Sequence, residues 1–449
     1  MKIIHKIILI ASLLNASATF AQKSLSLGEC KTLAVQNNSQ SKNSRLEIQA
    51  ASETKKSAFT NYFPHISASG LFFRASENMM EMKTKGGNLP VYDGNPVNLM
   101  TPTQFAYFPS SVTGLLKKGD MAFVNIAQPV YAGGRIVNGN KLAALGEEVS
   151  TLKSRQTRDE ILRKTEEQYW LVVSLDEKYN TILKYEELLR KLLNQVDDAY
   201  NNGIVTRNDL LKVRLKLSEV LLNKSKLNNG REIAAMAFCQ YIGIVYDSSL
   251  VLKDDFEVKN IPQSYYIDHS EALKLRSEYR LLEKSVEAEK LLTKMKLGEY
   301  LPQVSVGVSG VYQKFDEGDK QTLGMVFGNI SVPISDWWGG SHSLQEREIR
   351  EEMAQNDFQN NSELLTLQMQ KSWQDLNDAY KQYLLSEEAK SQAEENLRVN
   401  DDSYKNGMVN VSDLLDAQAL YQQSKEQLTE ARTGFRIKIM NYLIATGRN

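Results

Sequence analysis

The sequence repeats itself over half its length. Tyr200-Asn201-Asn202-Gly203-Ile204-Val205-Thr206-Arg207-Asn208-Asp209-Leu210-Leu211 returns as Tyr404-Lys405-Asn406-Gly407-Met408-Val409-Asn410-Val411-Ser412-Asp413-Leu414-Leu415, a shift of 204 residues. Asn61-Tyr62-Phe63-Pro64-His65-Ile66-Ser67 returns as Glu299-Tyr300-Leu301-Pro302-Gln303-Val304-Ser305. Gln128-Pro129-Val130-Tyr131-Ala132-Gly133-Gly134 has its counterpart in Val332-Pro333-Ile334-Ser335 followed by Gly339-Gly340. Three matches in one order define a duplicated unit far longer than the repeats of solenoids and propellers. Each half is therefore one substantial unit, and both halves share one architecture.

The predicted division is a signal peptide at 1–21, a first repeat at 22–243, a connecting segment at 244–266 and a second repeat at 267–449. Lys2 and Lys6 precede the short apolar run Ile7 to Leu14, and Thr19-Phe20-Ala21 supplies small residues for cleavage before Gln22. Gln22 is not a cysteine, so a lipoprotein anchor is not expected. No later stretch reaches the run of about 18 apolar residues that a spanning helix needs. A membrane-embedded form must then be a β-barrel, because only helices and closed barrels satisfy their backbone groups in lipid.

The 54 Lys and Arg nearly balance the 55 Asp and Glu, for a net charge of −1. That excludes the basic face of a nucleic-acid binder. Cys30 and Cys239 are the two cysteines, too few for a disulfide framework. Both fall in helical patterns, where a buried free thiol is the usual outcome; a single Cys30–Cys239 bridge stays open. His5, His65, His269 and His342 have no metal-ligand spacing, and no catalytic motif stands out. No enzyme activity, metal or cofactor is expected.

Residues 135–200 contain no proline and, after Gly146, no glycine. Val172, Leu175, Tyr179, Ile182, Leu189, Leu193, Val196 and Tyr200 step by three and four, a narrow stripe of coiled-coil type. Such a helix is on the order of 100 Å long. Residues 341–404 repeat the pattern with Leu365, Met369, Trp373, Leu376, Tyr380 and Tyr383. Return helices are predicted at 207–243 and 411–446, so each repeat carries a helical hairpin, 135–243 and 341–446. Their polar faces suit a single-walled helical barrel or a free coiled coil.

Val304, Val306, Val308, Gly310 and Tyr312 alternate with Gln303, Ser305, Gly307, Ser309 and Gln313. One apolar and one small polar face is the pattern of a membrane barrel strand. Residues 64–75 echo it, with partner strands at 120–131 and 322–334, giving strand hairpins at 62–131 and 300–334. The loop 76–119 of the first is long and rich in Asn, Gly, Pro and Met, whereas 314–321 is short. In a barrel the long loop belongs outside the cell. Tyr62, Phe63, Tyr131, Tyr300, Trp337 and Trp338 cluster at strand ends, suited to an interfacial girdle or to corner packing. Four strands cannot close a barrel, since bacterial barrels begin at eight. Two chains would give a filled interior and three a channel.

These features resemble the TolC-type outer-membrane efflux protein family. The likeness rests on Leu25-Ser26-Leu27-Gly28-Glu29-Cys30, the aromatic-Pro approach to a strand in both halves, Gln128-Pro129-Val130-Tyr131-Ala132-Gly133-Gly134, and above all the duplicated Tyr-x-x-Gly-x-x-x-x-x-Asp-Leu-Leu turns. The resemblance implies an α+β membrane protein, with an α-barrel of long antiparallel helical hairpins and four strands per chain in a trimeric twelve-stranded β-barrel. It implies the exit channel of a tripartite efflux pump or type I secretion system in the outer membrane of a Gram-negative bacterium. The implied partners are two further copies of the chain, outer-membrane lipid, a periplasmic adaptor and, indirectly, an inner-membrane transporter. A structural coiled-coil or adhesin-like surface protein is the alternative, and it leaves the strands unexplained.

The resemblance places adaptor contacts at Asn202, Gly203, Ile204, Val205 and Thr206, and at Asn406, Gly407, Met408, Val409 and Asn410. It places a periplasmic gate at Tyr404, Asp413, Asp416 and Asp209. Val409 stands where the family has an arginine latch, which implies a gate built differently. Thr206-x-x-Asp209 and Asn410-x-x-Asp413 also read as capping boxes, and Asp416, one turn further in, is then the better lumen-facing acid. Gly203 and Gly407 are read as supplying a left-handed backbone at the turns.

Overall fold

The computed structural model describes residues 24–254, 260–316 and 318–448. The signal-peptide reading lies outside the described residues. The order of elements is α1 (Leu27–Asn37), α2 (Ser39–Phe59), β1 (His65–Arg74), β2 (Met80–Thr84), β3 (Gly87–Val91), β4 (Gln104–Phe108), β5 (Ser111–Leu115), β6 (Lys118–Ala132), α3 (Arg135–Asn201), α4 (Arg207–Ile242), α5 (His269–Leu273), α6 (Ser277–Glu299), β7 (Gln303–Phe315), β8 (Gln321–Ser331), α7 (Trp337–Lys405) and α8 (Val411–Ala445). The two long helices run over 67 and 69 residues. Among the described residues no helix is long and apolar enough to cross a membrane.

Contacts divide the chain into two units. One takes the described residues up to Ala51, Gly146–Val286 and the described residues from Met353 on; the other takes Ser52–Leu145 and Glu287–Glu352.

The second unit is built on an antiparallel sheet of order β8-β7-β6-β1. Its register aligns Ile66, Ile126, Val308 and Val326 across all four strands. One residue along, Ser67, Asn125, Ser309 and Met325 form the next row. Neighbouring residues of a strand point to opposite faces, so the first row lies on an aliphatic face and the second on a face that mixes small polar residues with Phe123, Val311, Leu323 and Phe327. Phe327 on the mixed face lies over Gly307, where a Cβ would come within 2.4 Å of its ring. The β6–β7 register shifts between Pro129 and Tyr131, where proline has no N–H for the ladder. At the β6–α3 corner Gly133 has φ of +62°, and a Cβ there would stand 2.1 Å from the Gly298 carbonyl oxygen. Only glycine permits both the angle and the approach.

The segment 76–119, expected as a loop, is largely β-structure. β2 pairs with β5, and β3 pairs with β4, as nested antiparallel ladders. Asn95 caps a single 3₁₀ turn between β3 and β4, and Asp93 accepts bonds from the Asn95 backbone, Asn98 and Thr103.

The first unit is helical. Ser26 and Glu29 form a capping box that starts α1. Cys30, Ala34, Ile161, Tyr169, Trp170, Phe238 and Ile242 make a core where α1 meets α3 and α4. Asp254 fastens the connecting segment to it: its carboxylate accepts from the Leu27 N–H at 2.5 Å and the Tyr169 hydroxyl at 2.7 Å. Cys30 and Cys239 are both buried and are not joined in a disulfide. Burial first, then Glu29, Asp254 and Cys239, pushes the Cys30 thiol up to about 12.

Candidate tips and gate

Both helical hairpins turn by the same device. After α3 the Gly203 N–H donates to the Tyr200 carbonyl at 2.9 Å and the Ile204 N–H to the Ala199 carbonyl at 2.9 Å. After α7 the Gly407 N–H donates to Tyr404 at 3.0 Å and the Met408 N–H to Ser403 at 2.9 Å. This is the Schellman arrangement, and it satisfies carbonyls a helix end otherwise leaves open. Gly203 and Gly407 have φ of +70° and +68°, the left-handed backbone expected from the sequence. The Asn202 and Asn406 amides return to the Asp198 and Asp402 carbonyls at 2.7 and 2.8 Å.

The return helices start on full capping boxes. The Thr206 N–H and hydroxyl donate to the Asp209 carboxylate at 3.2 and 2.7 Å, and the Asp209 N–H donates back to the Thr206 hydroxyl. The Asn410 N–H donates to Asp413 at 3.2 Å, and the Ser412 and Asp413 N–H groups donate to the Asn410 side chain. Asp209 and Asp413 therefore act as helix starts in this conformation.

Ile204 and Met408 project from the turns, 76% and 69% exposed. Beneath them the two hairpins share one core: Ile182, Leu189, Val196, Leu210, Val213 and Leu217 with Val411, Leu414 and Leu415. Val205 and Tyr404 pack on its margin. The Lys212 ammonium donates to the Ser412 hydroxyl at 2.6 Å and links α4 to α8.

The gate residues separate into two neighbourhoods. Burial, and then the Asp209 carboxylate, hold the Tyr404 hydroxyl above its ordinary value, an electrostatic coupling across the repeats. Asp416 is exposed and lies instead near Tyr185. The Tyr185 hydroxyl is buried without a hydrogen-bond partner, and burial, then Glu219 and Asp416, raise its pKa. The other acids nearby are mostly paired. Arg398 bonds Glu395 and Asp402 at 2.7 and 3.0 Å, Lys405 bonds Asp401 at 2.5 Å, and Arg214 bonds Asp197 at 3.0 Å. Asp416 makes no ion pair among the described residues. No group of His, Cys, Asp or Glu among them could hold a metal ion.

Sequence reasoning missed the Lys212–Ser412 bond and the Tyr185 hydroxyl. The repeat held one clue. Shifted by 204 residues, Lys212 falls on Asp416, so one repeat carries a cation where the other carries an acid.

Residues 272–438, most of the second repeat, match the family described as outer membrane efflux protein. Among solved structures the outer membrane channel CmeC of Campylobacter jejuni is similar, at 15% identity and a TM-score of 0.74, over 94% of this chain and 85% of that one. The outer membrane protein VceC of Vibrio cholerae matches at 13% identity and 0.72, over 94% and 96%. The open state of the outer membrane channel MtrE of Neisseria gonorrhoeae matches at 14% and 0.74, over 94% and 89%. At these identities the structures establish the fold of this chain. No curated protein sequence matches it.

Proposed function

We propose that this chain is an outer membrane efflux protein, the passive exit channel of a tripartite efflux pump or type I secretion system, reaching from the outer membrane into the periplasm. One observation carries the reading: the four-stranded sheet is aliphatic on one face from edge to edge, and among the described residues neither edge strand has a further partner. The Ile66, Ile126, Val308 and Val326 row is stable against lipid and costly against water. The backbone groups of β1 and β8 that face away from the sheet lack strand partners, at several kcal/mol each in hydrocarbon. Closure by further copies removes both edges. Three copies give twelve strands, enough for a lumen lined by Ser67, Asn125, Ser305 and Ser309.

The tips carry the proposed adaptor contacts, with Ile204 and Met408 as exposed apolar groups on rigid turns. Asp416 is the proposed lumen-facing acid, and an inner-membrane transporter would supply the energy. Native mass measurement in detergent tests the assembly. A trimer is expected, and a folded monomer would refute it.

A further inference from the structure

The β2–β5 arm is more apolar than a solvated loop can be. On β3 and β4, Leu89, Val91, Ala106 and Phe108 occupy one face, and Pro90, Phe105 and Tyr107 the other. The rings of Tyr92, Phe105, Tyr107 and Phe108 are between 41% and 74% exposed. At ~200 Å² per ring they leave roughly 450 Å² of aromatic surface in water. That area is divided between the two faces of the ladder and the turn at Tyr92, so each face exposes aromatic surface of its own. A two-stranded ladder is also marginal by itself, and this one has apolar residues on both faces. It needs a partner.

The arm is firmly mounted. The backbone N–H groups of Leu116, Lys117 and Lys118 all donate to the Asp316 carboxylate, at 2.7, 2.9 and 2.9 Å. Leu116 and Asp316 hold left-handed backbones, with φ of +62° and +51°, unfavourable for residues with a Cβ. The arm's base is thus locked to the end of β7 rather than free to swing.

We propose that the arm is an interface between copies of this chain: the β3–β4 ladders of three copies pack together and narrow the outer mouth. This rests on the trimeric reading above. Three observations favour a second copy as the occupant. The arm joins β1, the sheet edge that meets the next copy when the barrel closes, to β6 beside it, so its β1 side adjoins that seam. Each ladder, five residues at about 3.4 Å each, is about 17 Å long. A twelve-stranded barrel with strands about 4.8 Å apart and tilted about 40° has a radius of only about 12 Å. Finally, Glu77, Glu81 and Asp93 against Lys83, Lys85 and Lys117 leave the arm neutral, so like arms repel weakly.

The test uses the full-length protein with Leu89→Cys or Tyr107→Cys, one on each face of the ladder, and a short bismaleimide. Because Cys30 and Cys239 are buried, the parent protein is the unreactive control. At least one variant should give covalent dimers or trimers after heat denaturation. Replacement of residues 87–108 by a short Gly-Ser linker should leave the trimer intact and raise single-channel conductance severalfold. If both cysteine variants run as monomers after denaturation while the native trimer persists, the arm interface is wrong. Lipid that copurifies with the parent but not with the linker variant, without cross-links, would assign the surface to lipid and overturn the proposal. Unchanged conductance would overturn the narrowing of the mouth. A parent protein that is itself monomeric would sink the trimeric reading instead.

Discussion

An arginine at Val308 tests the membrane reading at its centre. Val308 lies mid-strand in β7, in the row Ile66, Ile126, Val308 and Val326. If that face meets lipid, Val308→Arg places a cation near the bilayer midplane at about 2–4 kcal/mol per copy. Three copies bring the total to about 6–12 kcal/mol, comparable with the whole stability of a typical domain. Ser309→Arg is the control: one residue on, it faces the row of Ser67, Asn125 and Met325. A guanidinium there stays hydrated in the lumen and should cost less than about 1 kcal/mol, in line with the tolerance of lumen positions. The assay is the fraction of heat-modifiable trimer in outer-membrane extracts, with guanidinium unfolding from vesicles to measure the difference. Val308→Arg should abolish assembly and Ser309→Arg should retain it. The opposite pattern would mean that the sheet faces have been assigned backwards. Equal tolerance of both would mean that this sheet does not lie in lipid.

Valine at both Gly203 and Gly407 should spare trimer formation but reduce adaptor-dependent drug tolerance, because a β-branched residue resists the left-handed backbone of the turns; unchanged tolerance at normal expression would count against tip docking. Asp413→Ala should cost about 1 kcal/mol through its cap with selectivity kept, whereas Asp416→Ala should weaken cation selectivity and multivalent-cation block in planar bilayers with stability kept. An exchange of those two phenotypes would move the acidic ring to Asp413. Cys30 should resist alkylation at pH 8 in the folded protein and react once it is unfolded. Its folded pKa lies above the ordinary thiol value of 9.0, so its contribution to stability is complete below pH 9 and is lost as pH rises through about 12. Rapid labelling of the native protein would contradict its burial.

Much of this architecture was legible because its signals are local. Capping boxes, Schellman glycines and two-residue alternation each act within a few residues, and helix ends and strand faces follow from them. The predicted strands at 64–75 and 120–131 became β1 and β6, shifted by a residue or two at their ends. The β2–β5 arm was not legible. Its strands are five residues long and lie among Gly86, Gly87, Pro90, Pro96, Pro102 and Pro109, which read as loop punctuation. Yet Pro90 sits in a two-stranded ladder, where every strand has an open side that needs no donor. Contacts between repeats were equally hidden. Nothing near Lys212 in sequence announces the Ser412 hydroxyl, and nothing near Tyr404 announces Asp209.

The duplication itself suggests where the gate must be asymmetric. The repeats agree at Tyr200 and Tyr404, at Gly203 and Gly407, and at Asp209 and Asp413, positions that build turns and caps. Such residues serve local geometry, which both hairpins need alike. The repeats disagree at Lys212 and Asp416, one turn into the return helix, where the turn no longer dictates the residue. Lys212 is engaged with Ser412 of the other hairpin, so the first-repeat position holds the two hairpins together. Asp416 makes no such bond and faces solvent. A ring drawn from both repeats would alternate lysine with aspartate and largely cancel its own field. A ring drawn from Asp416 alone keeps three like charges on one side of each protomer. Lys212→Ala should therefore loosen hairpin contact without removing the acidic ring proposed for Asp416. Lys212→Asp should add negative charge at the repeat-equivalent position and, if that position also faces the lumen, strengthen cation block beyond the parent channel. Should Lys212→Asp weaken assembly but leave block unchanged, the first-repeat position lies outside the lumen, and α8 alone lines the mouth at this level.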